Sequence, residues 1–379
     1  MDAFPEPDHG LREKLRSWAS QKPVRAVTSE QDLEREAVAL AHRLGEEGFM
    51  AYAAPRLYGG IRETVQAQDL CVIRDELAYF AALADVMFGV QALASQPIAI
   101  AGTEEQKKKY LPPLALGETI GAFALTEPEA GSDASAISLQ AKKLSDGYSL
   151  TGTKHFISNA GIAQVYIVFA STDPGAKAKG ISAFIVEADS PGFSVKEKTR
   201  LLSPHPIGVL GFDDCFVAQD RLLGTEGSGL KIALQTLDIL RCTVGASAVG
   251  FGRRALAEAL TYSRRRQQFG RAIAEFQGIQ FKLAEMAADL EASKVLVYRA
   301  AEAHDRKEAG LAMKSSIAKL FATEAAQRIV DQSLQIHGGA GVVAGHIMER
   351  LYRDVRALRI YEGTSEIQKL LIARELLRQ

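Results

Sequence analysis

The sequence predicts an α+β protein in which a helical segment is followed by a β segment and then by a second helical segment. Three observations support this fold class. Alanine- and leucine-rich runs dominate the first 119 residues, short alternating runs fill 120–225, and long helical periodicity occupies 226–379. With 379 residues, 47% of them hydrophobic and 24% charged, the chain has the balance of a globular protein. We predict three domains, at 1–119, 120–225 and 226–379.

The first segment is predicted to be mostly helical. Polar and apolar residues recur at three-to-four spacing from Gln68 to Ile100, as on one face of a helix. Thr103 before two glutamates is typical of a helix start, and Pro112-Pro113 predicts the end of that helix. Breaks in the helical pattern are predicted at Pro55, Gly59, Gly60 and Pro97.

The middle segment is predicted to form an antiparallel sheet. Its β-type runs are Val165–Phe169, Ile181–Val186, Phe193–Lys196 and Phe212–Val217. Asp146-Gly147 lies between two alternating stretches and predicts a hairpin turn. Because no helix-length periodic stretch separates the strands, we expect an arrangement closer to a barrel than to a parallel sheet with crossover helices.

The last segment is predicted to form a four-helix bundle. The predicted helices are Leu230–Arg265, Gln277–Asp305, Ala309–Ile336 and Ser365–Leu377. The first three are at least twice the mean helix length of about 11–12 residues.

Composition excludes several classes of protein. A net charge of −1 without an extended basic stripe argues against nucleic-acid binding. Three cysteines, Cys71, Cys215 and Cys242, cannot build a disulfide framework and favour a reduced, cytoplasmic setting. The stretch Met1–Asp8 has no basic or apolar signal region, and no uninterrupted apolar run approaches the roughly 20 residues of a membrane span. We therefore expect a soluble protein that does not associate with membranes.

Common catalytic motifs are missing from the sequence. It contains no phosphate-binding P-loop, no His-Glu-x-x-His pair and no Gly-x-Ser-x-Gly. The seven histidines do not cluster, so no metal site is expected. The glycine-rich run 338–341 follows a helical stretch, unlike a dinucleotide fingerprint. The basic residues Arg264, Arg265, Arg266 and Arg271 are either a solvated helix end or an anion site for phosphate.

Six short motifs occur in one order between Pro55 and Arg374. They are Pro55-x-x-Tyr58-Gly59-Gly60, Leu125-Thr126-Glu127-Pro128-Glu129-Ala130-Gly131-Ser132-Asp133, Gly152-x-Lys154-x-Phe156-Ile157-Ser158-Asn159, Arg266-x-x-Phe269-Gly270, Gln335-Ile336-His337-Gly338-Gly339 and Tyr361-Glu362-Gly363-Thr364-Ser365-Glu366-Ile367-Gln368. Any one of them would be a weak signal. Together, on an α–β–α plan, they resemble the acyl-CoA dehydrogenase family of flavoproteins.

The resemblance implies a catalytic base. In this family a carboxylate removes the α-proton of an acyl thioester while the β-hydrogen leaves as hydride to the flavin, giving a trans-2-enoyl thioester. Glu362 occupies the position of that carboxylate, and a dry pocket would raise its pKa towards neutrality. Some relatives carry the base beside the arginine that matches Arg241, but Leu240 stands there in this chain. The alternative is that 361–364 is merely a turn between two helices.

The resemblance also implies an FAD site. From the middle segment, the implied contacts are Phe123, Leu125, Thr126, Ser132, Phe156 and Ser158. Phe156 stands where the family usually has tryptophan, and the alternative is an ordinary aromatic residue of the β core. From the last segment, the implied contacts, several of them to the FAD of a neighbouring subunit, are Arg266, Gln268, Phe269, Gln277, Gln335, Gly338, Gly339, Thr364 and Glu366. A homo-oligomer, either a homotetramer or a homodimer, would follow.

For the thioester substrate, the resemblance implies contacts at Ser132, Asp238, Arg241, Gly363 and Arg374. Asp238 and Arg241 are three residues apart and can instead form a plain ion pair on one helix face. The Glu362 backbone N–H, with a flavin hydroxyl, would polarise the thioester carbonyl.

Two departures from the family pattern concern the substrate. Asp85–Ile98 lacks the arginine that glutaryl-specific relatives use, which disfavours dicarboxylic substrates. Two prolines stiffen the loop around His205, which is either a polar pocket residue or, as the more ordinary alternative, a surface histidine.

The expected function is that of an FAD-dependent acyl-CoA dehydrogenase that passes electrons to an electron-transfer flavoprotein. The alternatives are a flavin-dependent oxidase and a dehydrogenase of acyl-carrier-protein thioesters on the same fold. A monooxygenase is disfavoured because it needs no α-proton base. A helical binding protein without catalysis is the least expected.

Overall fold

The structure is a computed structural model that describes residues 9–21 and 29–378. The stretch Met1–Asp8, in which the sequence shows no signal region, lies outside the described residues. The described chain groups into two compact units. The helical unit comprises residues 9–21, 66–85 and 238–378, and the β unit comprises residues 29–65 and 86–237. The division at residues 119 and 225 stays a prediction.

The described residues form long helices before and after the strands. The helices are α1 His9–Gln21, α2 Glu30–Glu46, α3 Ala67–Phe80, α4 Ala82–Ala101, α5 Glu104–Ala115, α6 Gly229–Arg265, α7 Gln277–Asp305, α8 Leu311–His337, α9 Ile347–Arg356 and α10 Ser365–Leu377. The four helices predicted in the last segment appear within two residues of their expected ends, as α6, α7, α8 and α10. Helix α9 was not predicted. It is a single ten-residue segment whose buried face consists of Met348, Leu351 and Val355.

Prolines did not end helices where the sequence predicted it. Helix α4 continues through Pro97 to Ala101, and α5 continues past Pro112-Pro113 to Ala115. Each proline removes one backbone donor, a loss that a well-packed helix can tolerate. At the end of α5 the Leu116 N–H still donates to the Pro112 carbonyl at 3.0 Å. The predicted start of α5 is confirmed, because Thr103 forms a capping box with Gln106.

Close helix approach shapes the core of the helical unit. Gly250 on α6 lies against α3, where an added Cβ would stand 2.2 Å from the Asp75 carbonyl oxygen. Beside this contact, Arg12 of α1 donates to Asp75 at 3.0 Å, and Arg253 of α6 donates to the other oxygen of the same carboxylate at 2.5 Å. Asp75 is fully buried, so these charge-assisted bonds replace the water it loses.

The β unit contains one eight-stranded sheet. Its strands are β1 Gly121–Ala124, β2 Gln140–Lys143, β3 Gly147–Ser158, β4 Val165–Ser171, β5 Ile181–Glu187, β6 Phe193–Lys198, β7 Ile207–Ala218 and β8 Leu222–Leu223. They follow the order β6-β7-β3-β2-β4-β5-β8, with β1 pairing β4. Pairing is mainly antiparallel, as predicted, and the parallel pairs are those of β4 with β1 and with β2. The hairpin at Asp146-Gly147 is confirmed by the pairing of Lys143 with Tyr148.

Two helices in the described residues are long and apolar enough to cross a membrane by length and composition alone. They are Ala82–Ala101 and Gly229–Arg265, and 78% of the most apolar window of each is buried inside the protein. Their apolar surface is therefore used in packing, as in the core helices of soluble proteins.

Candidate active site

Glu362 lies in a strained turn between α9 and α10. Its φ is +53°, and that of Gly363 is +91°, both in the left-handed region. An added Cβ at Gly363 would stand 2.6 Å from the Gln368 amide nitrogen, so glycine suits this position on two grounds. Residues 361–364 therefore form a turn, and the hypothesis that Glu362 is the catalytic base is compatible with it, because the turn positions the Glu362 carboxylate.

Two buried side chains hold this turn from outside. The Lys319 Nζ donates to the Gly363 carbonyl at 2.8 Å, and the Gln368 Nε2 donates to the same oxygen at 3.0 Å. Both side chains are 0% exposed. These two hydrogen bonds to one carbonyl fix the backbone conformation of the turn. They offset the strain of a glutamate in the left-handed region.

The Glu362 carboxyl is poised to exchange a proton near neutral pH. Burial raises its pKa to about 7, against the opposing attraction of Arg74, Lys319 and Arg241. Within the described part of the chain, its Oε2 is buried and has no hydrogen-bond partner. A general base works best when its pKa lies near the working pH, and an unpartnered oxygen is free to take the proton.

Two of the three cations near Glu362 have carboxylates of their own. Arg74 on α3 donates to both oxygens of Asp85, at 2.8 and 3.1 Å. Arg241 on α6 donates to Asp238 at 2.6 Å. The aspartates partly offset the charge of each arginine, which limits how far the arginines lower the pKa of Glu362.

Several predicted substrate contacts can now be placed. Asp238 and Arg241 do form the plain i,i+3 ion pair that was the alternative, yet the buried Arg241 Nε has no partner among the described residues. Gly363 lies in the turn beside Glu362. Arg374 is exposed on α10, and Ser132 is exposed in the β unit. Their contacts with a thioester remain predictions.

Sequence reasoning missed Lys319, Gln368 and Arg74. Lys319 had a readable signal, since it falls on an α8 face whose other members are small and buried: Ser315, Ser316, Ala322 and Thr323. A lysine in such a stripe needs a buried partner. Arg74 gave no local signal, because its partner Asp85 lies eleven residues away on the next helix.

In the β unit, Phe156 presents an open aromatic ring. It lies at a register shift between β3 and β7, has a φ of +54° and is 52% exposed. The ordinary reading as a β-core aromatic is wrong, since the ring is not in the core. A flat apolar ring left open to solvent fits the stacking face of an isoalloxazine.

The loop that begins at Leu125 is tied to β3 by a buried ion pair. The Lys154 Nζ donates to Glu127 at 2.7 Å and to the Leu125 carbonyl at 2.9 Å. Glu127 also accepts from the Ser138 N–H and hydroxyl and from the Leu139 N–H, at 2.6, 2.8 and 3.0 Å. Burial would raise the pKa of Glu127, but Lys154 and these donors hold it below its usual value. The loop is thus fixed, with Thr126 half-buried and Ser132 exposed.

Other implied cofactor residues of the β unit differ in exposure. Phe123 and Leu125 are half-buried against the apolar core of this unit. The Ser158 hydroxyl lies 3.0 Å from the His205 Nε2. Burial lowers the pKa of His205 to about 4, so its ring is neutral at physiological pH. His205 is therefore a half-buried partner of Ser158 and not a freely solvated surface histidine.

The implied cofactor residues of the helical unit lie mostly on its surface. Gln268 and Phe269 belong to a hairpin of two short strands, β9 Gln267–Gln268 and β10 Arg271–Ala272, and Phe269 is 92% exposed. Arg266, Gln277, Gln335, Gly338, Gly339 and Glu366 are also exposed. The Thr364 hydroxyl accepts from the Ile367 N–H at 3.3 Å and caps α10. Their contacts with FAD remain predictions.

No group of three or more His, Cys, Asp or Glu side chains arranged to hold a metal ion occurs in residues 9–21 and 29–378.

Comparison with known proteins gives a consistent result along the chain. Models of the acyl-CoA dehydrogenase N-terminal, middle and C-terminal domains match residues 5–118, 122–215 and 227–377. The chain is 41% identical to an acyl-CoA dehydrogenase of Bacillus subtilis over 97% of both sequences.

Two solved structures are similar over the whole chain. Butyryl-CoA dehydrogenase of Megasphaera elsdenii has a TM-score of 0.92 and 35% identity, covering 99% of this chain and 100% of that one. An acyl-CoA dehydrogenase of Bacillus anthracis, complexed with FAD, has a TM-score of 0.90 and 33% identity, covering 100% of this chain and 68% of that one. The helical, β and helical order predicted from the sequence is confirmed by these likenesses.

Proposed function

Because this chain belongs to the acyl-CoA dehydrogenase family, we propose that it oxidises an acyl-CoA thioester to a trans-2-enoyl-CoA with FAD as cofactor. The observation that carries this proposal is the Glu362 carboxyl, whose buried oxygen has no partner in the described chain and whose pKa is raised to about 7. A carboxylate with these properties can remove a weakly acidic carbon-bound proton at neutral pH.

The protein's own groups then have distinct tasks. Glu362 takes the α-proton, and the left-handed turn at Gly363 fixes the direction from which it does so. The Phe156 ring, with Thr126 and Ser132, would hold the flavin by stacking and hydroxyl contacts. Bound FAD supplies the acceptor for the β-hydrogen, which leaves as hydride. Arg241, with one buried donor unpartnered in the described chain, would contact the substrate.

Substrate length and electron acceptor belong to the same proposal. We propose a short, unbranched acyl chain, supported by the likeness to butyryl-CoA dehydrogenase of Megasphaera elsdenii. We further propose an electron-transfer flavoprotein as acceptor and a homo-oligomeric enzyme, since the family resemblance implies both. The 92% exposed Phe269 ring agrees with a surface that another subunit covers.

The test is an anaerobic titration of the purified flavoprotein with acyl-CoA thioesters of different chain length. We expect the long-wavelength flavin absorbance to bleach, first and most completely with butyryl-CoA. A yellow protein that bleaches with a carrier-protein thioester and with no acyl-CoA would replace the CoA proposal with its carrier-protein alternative. Rapid reoxidation by oxygen would favour an oxidase.

The matched variants are Glu362→Gln and Glu375→Gln, which change carboxylates before and within α10. Glu362→Gln should retain its flavin and lose at least about 100-fold in the rate of flavin reduction, because general-base catalysis contributes that much or more. Glu375→Gln should match the wild type, since the pairing of Glu375 within the described residues is with the exposed Arg378. Near-wild-type reduction by Glu362→Gln would remove Glu362 from the mechanism.

A further inference from the structure

Lys319 is a buried cation beside Glu362 to which the proposed reaction assigns no task. It lies in the first half of α8, is 0% exposed, and donates to the Gly363 carbonyl at 2.8 Å. Burying a lysine is costly, and proteins normally compensate by pairing it with a carboxylate. Within the described residues, no ion pair joins Lys319 to a carboxylate, although Glu362, Glu324 and Glu366 all act on its charge. Glu324 is instead paired with Arg359.

The groups that face Glu362 can be counted from each neighbouring helix. Arg74 lies on α3, and its partner Asp85 lies at the start of α4. Arg241 lies on α6 with its partner Asp238, and Lys319 lies on α8. Tyr361 precedes Glu362 in the turn, and burial raises the pKa of that hydroxyl, so it is uncharged at neutral pH. Each arginine is paired with its own aspartate, whereas no ion pair within the described residues joins Lys319 to a carboxylate.

We propose that Lys319 is a positioning residue for the base: its ammonium fixes the Glu362–Gly363 turn through the Gly363 carbonyl and supplies a positive charge that acts on the Glu362 carboxylate and is engaged in no ion pair within the described residues. This proposal rests on the proposed function for the role of Glu362. It assigns to Lys319 a geometric effect and an electrostatic effect, which different substitutions can separate.

The geometric effect is shared with a neutral residue. Gln368 donates to the Gly363 carbonyl at 3.0 Å and to the Glu362 carbonyl at 3.4 Å, without carrying charge. Loss of Gln368 should therefore loosen the turn and leave the electrostatics of the base unchanged. Loss of Lys319 should do both.

The electrostatic effect has a definite sign. A cation favours the ionised carboxylate, so Lys319 lowers the pKa of Glu362 from the higher value that burial alone would produce. Burial lowers the pKa of Lys319 itself to about 8, so it is mostly charged at pH 7. Removing that charge should make Glu362 hold its proton to higher pH, and the acidic limb of the pH–rate profile should move upwards.

The experiment measures flavin reduction by saturating butyryl-CoA, in single turnover, from pH 5 to 9. Lys319→Gln keeps a hydrogen-bond donor and removes the charge, and we expect its acidic limb to move up by about one pH unit, so that reduction at low pH slows about tenfold more than at high pH. Lys319→Arg should restore the wild-type limb. Gln368→Met should slow reduction at every pH and leave the limb in place.

Controls separate this effect from general damage to the helix. Thr323→Val changes a buried residue one turn along α8 whose hydroxyl bonds only to backbone carbonyls, and neither rate nor limb should change. Flavin content is matched for all variants by absorbance. Should Lys319→Gln not fold, Lys319→Met provides the second uncharged variant with the same expected limb shift.

A second measurement does not depend on turnover. The Glu362 carboxyl is titrated by infrared difference spectroscopy of the substrate-free flavoprotein, and its band is identified by its loss in Glu362→Gln. The Lys319→Gln protein should protonate this carboxyl at higher pH than the wild type. A uniform loss of rate with an unmoved limb and an unmoved infrared titration would overturn the proposal and leave Lys319 as a structural residue.

The two proposals fail in different ways. Failure of every thioester to reduce the wild-type flavin would end the proposed function. The infrared titration would still report whether Lys319 sets the ionisation of Glu362. An unmoved titration with normal reduction would end only the proposal for Lys319.

Discussion

Two buried lysines, one in each unit of the molecule, lie near glutamates whose pKa values are shifted in opposite directions. In the β unit, Lys154 contacts Glu127 directly at 2.7 Å, and three further donors complete that carboxylate. In the helical unit, Lys319 donates to a backbone carbonyl, and one Glu362 oxygen has no partner in the described chain. Both lysines are 0% exposed, and burial lowers the pKa of each to about 8.

The difference lies in the carboxylates. The pKa of Glu127 is held below its usual value, and that of Glu362 is raised to about 7. Burial opposes ionisation in both cases, so the direct partners decide the outcome. A fully partnered pair fixes a loop, whereas a carboxylate whose nearby cations are occupied elsewhere stays reactive. Nearness of a cation alone does not make a structural ion pair.

The largest expected effect is on stability, when the ion pair between Lys154 and Glu127 is broken. Lys154→Met leaves the Glu127 charge buried without its cation, and we expect the free energy of unfolding to fall by about 3–5 kcal/mol. Urea unfolding at pH 7 measures this. Lys143→Met is the control, because its ion pair with Glu226 is largely exposed and should contribute less than about 1 kcal/mol. Equal losses in the two variants would mean that Glu127–Lys154 is no more than a surface pair.

An intermediate effect, with the opposite sign, is expected at Glu362. A folded pKa of about 7 against an unfolded value of 4.5 means that the folded state binds more protons between these pH values. Stability therefore falls as pH rises through this window, and the cost is complete above pH 7. It amounts to up to about 3 kcal/mol.

Glu362→Gln removes that cost. The variant should be more stable than the wild type at pH 8, and the difference should vanish near pH 4, as measured by unfolding at both pH values with equal flavin content. A variant that is less stable than the wild type at pH 8 would show that the Glu362 charge is stabilised in the folded protein, as that of Glu127 is.

The smallest expected effect tests a single donor to Glu127. Ser138→Ala removes one of the bonds to this carboxylate, and the backbone donors of Ser138 and Leu139 remain. We expect a loss of about 1 kcal/mol in thermal unfolding. Ser135→Ala, an exposed hydroxyl in the same stretch, should change almost nothing. A loss as large as that of Lys154→Met would mean that the Ser138 hydroxyl provides most of the stabilisation of the buried Glu127 carboxylate.

Local signals in the sequence predicted the fold and part of the site. The hairpin at 146–147, the cap at Thr103 and the four helices of the last segment depend on neighbouring residues, so spacing was sufficient. Glu362 was found through a motif. Helix α9 was missed, because ten residues give only one short apolar face.

The supporting residues of the site could not be predicted from spacing. Arg74 and Asp85 are eleven residues apart on different helices, and Lys319 is 44 residues from the carbonyl it binds. Tertiary packing creates these pairings, and nothing in the local sequence specifies the partner. The continued helices at Pro97 and Pro112 show the same limit, since packing outweighed a local breaker.

The turn at Glu362 and Gly363 constrains how this protein can diverge. At a φ of +53°, asparagine, aspartate and glycine are tolerated substitutes and β-branched residues are not. Gly363 allows far less change, because of its φ and the nearby Gln368 amide. A descendant can therefore lose the carboxylate while inheriting the turn that presented it. In a set of related sequences, a glycine at position 363 would indicate shared ancestry. The residue at position 362 would indicate whether the carboxylate was retained.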